Sequence, residues 1–134
     1  MNYWLVKQEP DSYSFETFQK EGKTDWTGVR NYTARNNLRD MKVGDKVFYY
    51  HSGDERAVVG LAKVTKAAFP DPTATGDAWV AVELEAGKAV KKPVTLAAIK
   101  ANSKLANMAL VRLSRLSVTP VTKDEYEEIL SMSK

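Results

Sequence analysis

The sequence contains no cysteine. Disulfides, thiolate metal sites and thiol nucleophiles are therefore excluded at the outset. A single histidine, His51, rules out a multi-histidine metal site within one chain. No apolar run approaches the roughly 18 residues of a membrane span. The opening "MNYWLVKQEP" lacks the charged head and long apolar stretch of a signal peptide. No G-x-G-x-x-G or Walker loop is present to cradle a phosphate. The expectation is a soluble intracellular protein, cytoplasmic, with no membrane, metal or cofactor attached to it.

Acids are missing over one long stretch. Between Ala86 and Lys123 there is no Asp or Glu, while Lys88, Lys91, Lys92, Lys100, Lys104, Arg112, Arg115 and Lys123 all fall there. The net charge of +3 understates this asymmetry. Such a tract suits an anionic partner. The other reading is that the fold pairs these cations with acids from elsewhere, and the sequence leaves both open.

What is there is ordinary for a globular chain: 134 residues, 43% apolar and 28% charged. That length makes one domain, 1–134. "YWLVK", 3–7, predicts a strand that Glu9-Pro10 ends. Ser14 can cap a helix "FETFQKEG", with Gly22 at its end. "TDWTGV", 24–29, reads as loop, and "TARNNLRDM", 33–41, as a helix with Ala34, Leu38 and Met41 on one side. Strands 46–52 and 56–65 form a hairpin across "SGDE". An irregular loop, 69–77, precedes an alternating strand, 78–84. Thr95 can cap "LAAIKAN", "MALVRLS" is ambiguous, and 116–121 is strand-like. Thr122 and Glu125 have capping-box spacing for a last helix, "KDEYEEILSM". Without βαβ alternation, this predicts an α+β fold: a small β-barrel of five or six strands with short peripheral helices.

Chemistry concentrates in "GVRNYTARNNLRD", 28–40. Arg30, Asn31, Arg35 and Asn36 are suited to forked hydrogen bonds with phosphates and base edges. Trp26 stands in a polar stretch, where it either forms part of a pocket or packs over the barrel's end. Gly28 would let a backbone amide approach a ligand closely. Trp4 and Trp79 lie in strands and are expected in the core. His51 and Ser52 point to opposite faces of a strand and make no Ser-His pair. His51 is either structural or, at a barrel rim, a donor to a base. Lys7 and Glu9 end the first strand on one face, where the plain reading is a surface ion pair. An aromatic platform, flanking hydrogen bonds and a basic track are what a single-stranded or flipped base requires.

Five segments together carry a resemblance. "YWLVKQEP" at 3–10, "W-x-GVRNY-x-ARNNLR-x-MK-x-GD" from Trp26 to Asp45, "FYYHS" at 48–52, "FPDPT" at 69–73 and "RLSVTPV" at 115–121 resemble the EVE domain family of the PUA-like group, which also holds the YTH and ASCH domains. The resemblance implies a β-barrel with surrounding helices and a pocket for a modified nucleobase. Modified cytosines in DNA are the ligands proposed for family members, and YTH domains hold N6-methyladenine in RNA. It maps the pocket onto Trp26, Gly28, Val29, Arg30, Asn31, Tyr32, Arg35 and Asn36, with His51 and Ser52 across from it. Lys7, Glu9 and Pro10 match the first-strand motif. Arg30 and Asn31 would edge the pocket, Arg35 and Arg39 would meet phosphates or acids, and Asn37 would face solvent. The implied partner is nucleic acid, DNA or RNA, bound by a non-catalytic module with a monomer as default. The alternative is an enzyme acting on a nucleotide in the same pocket.

Overall fold

The computed structural model describes all 134 residues. β1 (Tyr3–Gln8) is followed by two short helices, α1 (Pro10–Tyr13) and α2 (Phe15–Glu21), then β2 (Lys23–Trp26) and α3 (Tyr32–Asp40). β3 (Lys46–His51), β4 (Ala57–Pro70) and β5 (Val80–Thr95) run consecutively. The chain closes with α4 (Leu96–Ala101), α5 (Ala109–Arg112), β6 (Val118–Val121) and α6 (Lys123–Met132). The fold is α+β, and the six strands form one sheet ordered β2-β5-β4-β3-β1-β6. Only the β1–β3 pair is parallel. No helix is long and apolar enough to cross a membrane.

The sheet is not closed, which corrects the expected barrel. Its edges, β2 and β6, are four residues long each and share no ladder. β6 carries Pro120, a residue that cannot donate to a ladder and that edge strands tolerate.

Period-2 alternation divides the core between the two faces of this sheet. Trp4 and Val6 of β1, with Val47 and Tyr49 of β3, join Phe15, Phe18, Ala34 and Leu38 in one cluster. Leu5, Phe48 and Tyr50, from the intervening positions, join Ile99, Leu110, Tyr126 and Ile129 in the other. Helices α2 and α3 thus cover one face, and α4, α5 and α6 the other. Burying both faces of the central strands explains why "VFYY" is a continuous apolar run.

The caps are as expected. Ser14, Thr95 and Thr122 each accept from the amide three residues on, and Glu125 returns the bond to complete a capping box. Ala34, Leu38 and Met41 are buried together. Three boundaries differ. Residues 23–26 form the edge strand β2, not a loop, because pairing with β5 from Glu85 to Val82 supplies the extended backbone that polar side chains did not advertise. β4 runs on to Pro70, so the loop begins at Asp71. β5 continues to Thr95, well beyond the apolar alternation that ends at Leu84, as the partner of β4 in a long, bulged hairpin.

Candidate nucleic-acid interface

The segment after β2 is fixed by one side chain. Asp71 is buried and accepts from the Gly28 amide (2.9 Å), Arg30 Nη1 (3.0 Å), and both the amide and hydroxyl of Thr73 (2.7 Å each). Burial alone would raise its pKa. The bonds from Thr73, Gly28 and Arg30 outweigh that and hold the carboxyl well below the usual range. Gly28 turns the chain at φ +83°, which is the reason for a glycine there; a Cβ would meet nothing within 4 Å. Its amide is spent on Asp71, so it does not face a ligand as expected from sequence. Arg30 also bonds the Val29 carbonyl and Thr73 Oγ1. Val29 itself is in the core.

Asn31 caps α3, its Oδ1 accepting from the Ala34 amide at 3.0 Å. The next residues build an exposed ladder. Tyr32, 61% exposed, stacks on Trp79 with ring centroids 4.9 Å apart. The Arg35 guanidinium lies 4.9 Å from the Tyr32 ring centre and that of Arg30 5.8 Å from Trp79. Arg35 is held by Asn36 Oδ1 and the Ala78 carbonyl. Trp79 is therefore half-buried and outside both core clusters; it sits in the loop before β5, against Tyr32 and Arg30. Trp4 is in the core, with Nε1 donating to buried Asp45 at 3.0 Å. Asn37 is half-buried and donates to the Val118 carbonyl at 2.7 Å, so it does not face solvent. Arg39 is exposed with no acid beside it.

Trp26 ends β2 and is 6% exposed. It meets Tyr49 edge-on at 5.7 Å. Its remaining surface, with Gln8, Tyr13, Thr24, Asp25 and Thr27, walls a cleft of about 180 Å³. That is below the roughly 300–1,000 Å³ of drug-sized pockets, room for a planar ring rather than a whole nucleotide. A recess of about 520 Å³ lies elsewhere, around Asn2, Trp4, Asp40 and Thr122, and holds none of the residues singled out from sequence.

Of the residues singled out from sequence, Trp26 alone lines this cleft; Lys7, Glu9, His51 and Ser52 do not. Lys7 makes no ion pair with Glu9; its Nζ donates to the Ser114 carbonyl at 2.8 Å, and burial lowers its pKa. Glu9 is exposed and starts α1 ahead of Pro10. The Ser52 amide donates to the Gln8 carbonyl. His51 is buried: Nε2 accepts from the Phe15 amide at 3.0 Å and Nδ1 lies 2.7 Å from Glu55 Oε1. An acceptor Nε2 puts the proton on Nδ1, which donates to Glu55. Both ring nitrogens are thus committed within the protein. Of the eight cations in the acid-free tract, only Lys104 has an acid within 4.0 Å, Glu128. The fold leaves the other seven unpaired, answering the question the sequence left open.

Sequence reading missed Asp71, Gln8 and Tyr13. The Asp-Pro-Thr spacing was the available signal for Asp71, since an Asp two residues before a Thr can accept its amide in an Asx turn.

This sheet, with helices on both faces and a small aromatic-walled cleft at the ends of β1 and β2, is a PUA-like fold. A mutant ASCH protein from Zymomonas mobilis superposes with a TM-score of 0.62 over all of both chains at 11% identity, a likeness of fold alone. Within that group the chain belongs to the EVE domain family, whose model matches residues 2–132. A protein from Agrobacterium tumefaciens is 48% identical, with a TM-score of 0.96 over 99% of this chain and 93% of its own. Thymocyte nuclear protein 1 from Homo sapiens is 34% identical over 99% of this chain and 74% of its own length. The human protein's crystal structure in complex with DNA containing 5-methylcytosine has a TM-score of 0.93 at 32% identity, covering 100% of this chain and 98% of that one.

Proposed function

We propose that the chain is a non-catalytic nucleic-acid-binding module that holds a modified base in the Trp26 cleft, with 5-methylcytosine the first candidate. The observation that carries this reading is the cleft: one tryptophan wall, polar groups from Gln8, Thr24, Asp25 and Thr27, and room for one planar ring. Bases are commonly recognised by stacking plus edge hydrogen bonds in such a setting. The human relative in complex with 5-methylcytosine DNA supports it. Gly28, Val29, Arg30 and Asn31 would form the cleft's fixed rim through Asp71, while Tyr32, Arg35 and Asn36 would meet the strand outside it. Lys7, Glu9, His51 and Ser52 would support the rim from β1 and β3.

The enzyme alternative has one observation in its favour, the His51–Glu55 pair. The bond from the Phe15 amide occupies the nitrogen a general base would need. Turnover of a nucleotide, lost in His51→Ala, would nonetheless restore that alternative. The test of the main reading is a panel of short DNA and RNA oligonucleotides, single- and double-stranded, each with one modified or unmodified base, in one buffer. Tighter binding of the 5-methylcytosine strand than of its cytosine counterpart is expected. Equal affinity for all of them would refute base recognition.

A further inference from the structure

A separate cleft, of about 340 Å³, shares no lining residue with the Trp26 cleft. Asn31 and Thr33 at the start of α3 form one wall, and Arg112, Ser114 and Arg115 form the other. No carboxylate lines it, and neither arginine has an acid within 4.0 Å. Arg112 Nε is oriented by the Asn107 carbonyl at 2.8 Å, which leaves its Nη groups without a protein partner. The last residues of β1 join the two clefts. Gln8 lines the Trp26 cleft, and the neighbouring Lys7 reaches the Ser114 carbonyl. Lys7 and Ser117 are also bonded through the backbone, so the Arg112–Leu116 loop is held at a fixed distance from the base cleft.

We propose that this second cleft seats a backbone phosphodiester next to the base held at Trp26, gripped by Arg112 and Arg115. It rests on the nucleic-acid reading above and adds where the strand leaves the base cleft. The chemistry selects a phosphate. Two planar guanidinium forks present parallel N–H donors that match tetrahedral oxyanions bidentately. Leu113, 43% exposed between them, offers the apolar contact that a sugar ring would cover.

The test is fluorescence anisotropy of a single-stranded oligonucleotide carrying one 5-methylcytosine, titrated over a range of salt. Log affinity should fall linearly with log salt, and each lost phosphate contact should reduce the slope by about 0.7. Arg115→Gln breaks no hydrogen bond within the protein and should flatten the slope by about that amount; Arg112→Gln with Arg115→Gln should flatten it by about 1.4. The preference for 5-methylcytosine over cytosine should persist in both. Lys104→Gln, whose ammonium already faces Glu128, should leave the slope unchanged. Melting curves check folding, and the single variant carries the test if the double one fails to fold. An unchanged slope in Arg115→Gln overturns the proposal and leaves base recognition standing. So does a loss in Lys104→Gln as large as in Arg115→Gln, or a lost base preference at constant slope. Wild-type protein that binds no oligonucleotide overturns the nucleic-acid reading, and the phosphate seat with it.

Discussion

Asp71 and Arg30 meet at 3.0 Å, with the Asp71 side chain fully buried and the Arg30 side chain 39% exposed. This pair ties the loop after β4 to the turn after β2, two segments 41 positions apart in the chain. Replacing Asp71 with Asn keeps the shape but turns an amide N–H₂ toward groups that are all donors. Removing one partner of a buried pair costs several kcal/mol; the partial exposure of Arg30 places Asp71→Asn near the lower end, about 3 kcal/mol. Chemical denaturation measures the loss. A variant as stable as wild type would show that the turn is held by something else.

The same carboxylate makes a pH prediction. Its folded pKa lies below that of an unfolded aspartate, which titrates near about pH 3.9. Below that pH the unfolded chain takes up a proton that the folded Asp71 does not. The stability Asp71 contributes is therefore complete above about pH 4 and is lost as pH falls from there toward the folded value. Asp45, also lowered against its burial by bonds from Trp4, Lys42 and Asn2, acts in the same direction in both proteins. The stability gap between wild type and Asp71→Asn should narrow from neutral pH to about pH 3. A gap of constant size would contradict the assignment.

Gly60 makes a packing prediction. A Cβ built there would lie 2.2 Å from the Phe15 ring, in the cluster that backs Trp26 through Tyr49. Gly60→Ala should destabilise by about 1–3 kcal/mol through overpacking. Phe15→Leu in the same background should then cost less than it does alone, because the two sites touch. Additive losses would show that the ring moves aside freely.

Trp26 is buried while it walls the cleft, and Trp79 lies nearer the surface than the sequence suggested. Trp26→Ala should cost about 3–5 kcal/mol of folding stability, as removal of a buried tryptophan does. Trp79→Ala should cost less, about 1–3 kcal/mol, through its stack on Tyr32, its contact with Arg30 and the apolar area it half-buries. Thermal and urea denaturation of both variants settle the order, and the reverse order would contradict the burial described. Base recognition is therefore better tested by mapping the cleft than by deleting Trp26.

The fold was legible where its causes are local. Ser14, Thr95 and Thr122 announce their helices because a cap acts within three residues, and Leu38 and Met41 because helical periodicity repeats within one turn. β2 and the second half of β5 were not legible, since their extended backbone comes from pairing with a distant strand while their side chains are polar. The site divides the same way. Residues 26–36 are contiguous and stand out as one block. Gln8, Tyr13 and Arg112–Leu116 come to the clefts, and Asp71 to the turn at Gly28, only through the tertiary fold, and no spacing in the sequence links them.

The central claim is that a modified base enters the Trp26 cleft. Amide and indole chemical shifts followed by two-dimensional NMR, during titration with a 5-methylcytosine oligonucleotide and with its cytosine counterpart, test it most directly. The account predicts that Gln8, Thr24, Asp25, Trp26 and Thr27 shift, and shift further with the methylated strand at equal occupancy. Shifts confined to the lysines and arginines of the basic tract, identical for the two strands, would contradict it.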